Sequence, residues 1–215
     1  MTHTRKAAAI ASHPAPTTDP GPASLRNWGA AASLIGGVTF ATGHLLAWLG
    51  TAPDAWSVTG AWLNLAAVAA LVVAVIGVHE ALARTGTPWV TVASVLSVVG
   101  FALLVGFFTL RLALAYGHIT AEVTETPALA GLSAVSNGLL LLGLALLAAA
   151  IHRSRRLGRV AGPGLALSVA AFATGFVLPL GGLIGGLLLG ASFTVIATHL
   201  HQLRPPHQRH GTTRH

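Results

Sequence analysis

The chain has 215 residues, of which 53% are hydrophobic and only 8% charged, with a mean hydropathy of +0.73 and no cysteine. A water-soluble domain carries about 25% charged residues, so this chain lacks the charge to cover a water-facing surface. The missing cysteines also exclude disulfides, thiolate nucleophiles and Cys-ligated metal. The net charge of +7 does not signal nucleic acid, because the basic residues flank apolar runs and form no face interleaved with aromatics on a soluble module; contact with anionic lipid headgroups accounts for the sign.

Residues 1–26 are rich in Ala, Thr, Pro and His, with Pro14, Pro16, Pro20 and Pro22 breaking any period, and read as a disordered tail. Apolar runs long enough to cross a bilayer then follow at about residues 28–50, 60–84, 89–116, 128–151 and 162–178, and a sixth runs to about residue 200. The turns between them carry Pro53, Pro88, Pro127 and Pro179. Residues 204–215 are a second disordered tail, basic and His-rich. The expected fold is all-α: one domain, residues 27–203, forming a polytopic bundle of six transmembrane helices.

Orientation follows from the stretch 152–159, which places Arg153, Arg155, Arg156 and Arg159 between two apolar runs. Short loops rich in Lys and Arg stay on the cytoplasmic side. With this loop inside, Arg5, Lys6, Arg26, Arg84 and Arg204 fall inside as well, while the outside loops hold Asp54, Glu122 and Glu125 and no Lys or Arg. The tryptophans Trp28, Trp48, Trp56, Trp62 and Trp89 fall at or beside span ends, as an aromatic belt requires. The expectation is a multi-pass protein of the cell membrane with both termini cytoplasmic.

Two patterns bear on assembly. Phe-Ala recurs at 40–41, 101–102 and 172–173, and a histidine closes each inward-going helix at 79, 152 and 199, so the chain also fits three pseudo-repeated helical hairpins. Gly29, Gly36, Gly43 and Gly50 recur every seven residues, and Gly182, Gly186 and Gly190 make two GxxxG steps. Small residues let helices approach closely in lipid, either inside the monomer or against a second copy or membrane partner.

Polar residues within spans are the candidate site. At a rise of about 1.5 Å per residue, Arg111 lies roughly 7 Å inside the end of span three and His44 roughly 9 Å from the end of span one. Asn64 lies roughly 6 Å into span two and Asn137 about 15 Å into span four, near the midplane. Ionisable groups at membrane depth mark a pathway or site, so these four predict an outward-facing vestibule in which Arg111 holds a small polar or anionic ligand. In the competing reading Arg111 snorkels to the headgroups beside Glu122 or Glu125, and Asn137 joins two helices by a hydrogen bond. His79, His152 and His199, with Glu80, are a weaker candidate for a metal ion; each stands where a helix C-terminus favours a donor or cation.

No cofactor motif is present, and catalysis finds no support. Gly131-Leu132-Ser133 with His199 is similar to the serine and histidine of the rhomboid intramembrane proteases, but residue 134 is Ala where their GxSG motif has Gly. The two residues are also expected at opposite faces of a core about 30 Å thick. The first reading is therefore a non-catalytic membrane protein that binds or transports a small polar or anionic molecule. The alternative is a partner subunit that docks through its Gly-rich faces, and an intramembrane enzyme comes last.

Overall fold

The computed structural model describes residues 22–50, 55–83, 88–119 and 126–203. All its regular structure is helical: α1 (Pro22–Leu49), α2 (Ala55–Ala83), α3 (Pro88–Ala115), α4 (Pro127–Ser154), α5 (Ala161–Thr174) and α6 (Pro179–Gln202). Four of the six open on proline, whose fixed φ suits the first helical turn and whose missing N–H costs nothing there. Residues 1–21 of the expected N-terminal tail and the whole His-rich C-terminal tail, 204–215, lie outside the described residues, as do Asp54, Arg84, Glu122 and Glu125.

Five helices are long and apolar enough to cross a membrane, and the chain is an all-helical membrane bundle. The fifth predicted span is the departure. Only Ala161–Thr174, 14 residues, is helical there, about 21 Å against a hydrocarbon core of about 30 Å. Residues 175–178 leave the helix in successive turns, with Phe176, Val177 and Leu178 exposed. The third hairpin is thereby unequal to the other two. Two further boundaries move outward: α1 begins at Pro22, inside the expected tail, and α4 runs through His152 and Arg153.

Each helix packs on its neighbours in the chain, and α6 packs back on α1 to close a ring, while α2 also reaches across to α4 and α6. Ala67, Val68, Leu71, Ala74, Val75 and Val78 of α2 are buried, the three- and four-residue spacing of one helix face. Outward-facing residues such as Ile35, Val95, Leu142 and Leu167 are equally apolar and exposed, as a lipid-facing surface requires.

Small residues set the helix pairs. A Cβ at Gly29 would lie 2.5 Å from the Cα of Gly77, so α1 and α2 touch backbone to backbone. Gly60 lies on Gly43 and Ala47 in the same pair, Gly37 meets the Gly190 carbonyl between α1 and α6, and Gly100 meets the Leu140 backbone between α3 and α4. Buried hydroxyls add little across helices: Ser33, Ser94 and Ser97 each donate to the carbonyl four residues back in their own helix. Close backbone contact, as expected in lipid, therefore holds the ring.

The arginine stretch closes the end of the bundle at which α1 begins and α6 ends. Leu157 is fully buried in the core, and Arg156 donates through Nη1 to the Ala81 carbonyl at 3.3 Å, satisfying an orphan acceptor at the end of α2. Gly158 has φ +82° and lies against the His199 ring, a conformation and a contact that both need glycine.

Candidate functional site

The four polar residues singled out in the spans come from four different helices and line one cavity. It has a volume of about 160 Å³, and its walls include His44, Asn64, Arg111 and Asn137 together with Phe40 and Phe172. The space equals about five waters at roughly 30 Å³ each. Helix α2 begins at Ala55 and not near residue 60, so Asn64 stands deeper than its spacing suggested, about 14 Å into its helix.

His44 is seated on three sides. Its Nδ1 donates to the Phe40 carbonyl at 3.0 Å, which in the neutral ring leaves Nε2 as acceptor. Its ring centroid lies 4.2 Å from that of Phe40 and 5.7 Å from that of Phe172. Gly186 of α6 presses on the same imidazole, where a Cβ would come within 2.5 Å of Cγ. Asn64 is buried against Gly43 and interacts with the His44 ring, and its Oδ1 makes no well-formed hydrogen bond. A buried unsatisfied carbonyl costs about 1–3 kcal/mol, and a donor from a ligand or water in the cavity would offset that cost.

Arg111 joins the cavity to the outside. Its Cζ lies 5.7 Å from the Phe107 ring centroid, and among the described residues no carboxylate pairs with it. It lines three cavities at once: the inner one, a second of about 350 Å³ with Ala47, Ser57, Asn64 and Leu114 at the ends of α1, α2 and α3, and a third of about 410 Å³ between α3 and α4. The mouth is braced by Trp62, whose Nε1 donates to the Tyr116 hydroxyl at 3.2 Å.

Asn137 does not join two helices. Its Nδ2 donates to the carbonyl and hydroxyl of Ser133, one turn back in α4, at 2.9 and 3.3 Å. No protein-family model, curated protein or solved structure matches this chain. The geometry of the site therefore carries the functional argument alone.

The three helix-end histidines are not brought together. His152 is exposed, His199 donates through Nδ1 to the Val195 carbonyl at 2.9 Å, and His79 is half-buried with an unpartnered Nδ1. Among the described residues no group of three or more His, Asp or Glu side chains could hold a metal. Ser133 and His199 likewise stand near opposite ends of the bundle, at the start of α4 and the end of α6.

The glycine face of α6 is used inside the monomer. Gly186 is buried against His44 and Gly190 against Gly37, while Gly182 alone of the three has open space around it. On α1, Gly29, Gly36 and Gly43 are covered by α2. Apart from Gly182, these glycines pack within the monomer.

Sequence reasoning missed the aromatic wall. Phe40 and Phe172 stood out only as matching Phe-Ala pairs; their shared depth was the signal, because two helices crossing the bilayer at one level can bring such rings together.

Proposed function

We propose that this chain is a non-catalytic, multi-pass protein of the cell membrane that binds or transports a small polar or anionic molecule through the vestibule walled by Arg111, His44, Asn64 and Asn137. Both termini are cytoplasmic in this reading, which puts the vestibule mouth outside; the arginines of residues 152–159 support that orientation. The observation that carries the reading is the convergence of these four side chains on one cavity. Arg111 supplies the recognition: a guanidinium presents paired donors to a carboxylate or phosphate. His44 and Asn64 offer one acceptor each, which suits a ligand that also carries a donor.

Native mass spectrometry of the full chain, released gently from its own membrane, tests the reading. A small-molecule adduct is expected on the wild-type protein and not on Arg111→Leu. An unliganded wild type, or the same adduct on the variant, would overturn it.

A further inference from the structure

The parting of α3 and α4 narrows the class of ligand. The two helices touch where Gly143 lies on Ser97 and Gly100 on Leu140. The same faces continue, at three- and four-residue steps, through Phe107, Arg111 and Leu114 on α3 and through Ser136, Ser133 and Leu129 on α4. There they wall the cavity of about 410 Å³. A Cβ at Gly106, Gly131 or Gly138 would meet no atom within 4 Å. Among the described residues, α5, the other neighbour of α4, ends at Thr174, and Ala130, Leu132, Ala134 and Val135 are all exposed. The cleft thus opens sideways, between helices whose outer faces are apolar, and is reached from the bilayer.

Its walls are apolar except for Ser133, Ser136 and one cation, Arg111. A plain acyl chain would gain nothing there over bulk lipid, since lipid tails are as apolar as leucine. An anionic group would gain a partner in the Arg111 guanidinium, whose described contact is the Phe107 ring, and an ionic head at this depth is costly unless it is paired.

We infer that the cleft holds a single-chain amphiphile with an anionic head, a carboxylate or a phosphate. The head lies at Arg111 and the tail runs along α3 toward Leu103, a length of about 12 Å. The inference rests on the vestibule reading above and makes its ligand lipid-borne.

The test uses the full chain in phosphatidylcholine nanodiscs and a palmitate carrying a photoactivatable diazirine in its tail, with labelled peptides mapped by mass spectrometry. Label is expected within residues 103–114 and 129–136, displaced by excess palmitate or dodecyl phosphate but not by hexadecanol. Which competitor is stronger identifies the head. At least a ten-fold loss is expected in Arg111→Leu and in Gly106→Phe, whose Cβ has open space around it and whose ring occupies the cleft. Equal labelling in Arg111→Leu would mean ordinary boundary lipid and would overturn the inference. Inorganic phosphate, followed by equilibrium dialysis, separates the two readings. Phosphate bound alike by wild type and Gly106→Phe, with no palmitate label in the cleft, would leave the vestibule standing and remove the amphiphile. Binding of neither probe would remove both.

Discussion

The His44 imidazole rests directly on the backbone of Gly186, so near that a Cβ at position 186 would come within 2.5 Å of Cγ. Helix α6 thereby sets the position of a ring that belongs to α1 and walls a cavity shared with α2, α3, α4 and α5. Packing and site are here the same contact, so a change on α6 alters the cavity without touching any of its polar groups.

Gly186→Leu is expected to drive His44 into the cavity, destabilising the fold by about 1–3 kcal/mol as overpacking does and abolishing ligand binding. Gly182→Leu, one turn earlier and in open space, is expected to stay within about 0.5 kcal/mol of wild type and to bind normally. Thermal melting in detergent with the binding assay on each variant checks the pair. Equal effects would mean that the spacing and not the His44 contact matters.

Asn64→Leu is expected to separate stability from function. It removes the buried Oδ1 that makes no well-formed hydrogen bond, so stability should hold or rise by up to about 1–3 kcal/mol, while binding weakens. A large loss of stability instead would assign the amide a structural role.

Arg111→Leu is expected to hold or raise the melting temperature, because it removes an ionic head that is costly at membrane depth and whose described contact is the Phe107 ring. Arg111→Lys keeps the charge but loses the planar fork, and about a ten-fold weakening of anion binding is expected, read by the same mass-spectrometric titration.

Gly29→Leu should prevent α1 from seating on α2, because the Cβ alone would lie 2.5 Å from the Gly77 Cα. Backbone cannot yield as a flexible side chain does, so the cost should exceed the usual overpacking of about 1–3 kcal/mol. Loss of folded protein in membrane extracts is the readout.

The absence of native cysteine makes the proposed topology directly testable. In intact cells a membrane-impermeant maleimide is expected to label His118→Cys, beside the vestibule mouth, and to spare Arg153→Cys, in the arginine stretch. The reverse pattern would invert the bundle.

The sequence by itself determined where most helices run, which end each polar residue is near, and which four side chains to watch. Prolines, tryptophans and arginines carry that information because the ends of a span differ chemically from its middle. Only the tertiary structure decided what happens between the ends. It cut the fifth span to 14 residues, turned Asn137 back onto its own helix, left the three helix-end histidines unassembled, and covered Gly186 and Gly190 with α1. The reason is physical: residues facing lipid and residues facing other helices are equally apolar, so periodicity does not say which face is which. Ile35 and Leu71 read alike in the sequence, yet one is exposed and the other fully buried. Faces, register and the cleft between α3 and α4 arise from where glycine lets backbones meet, and a glycine's partner is known only once the helices are packed.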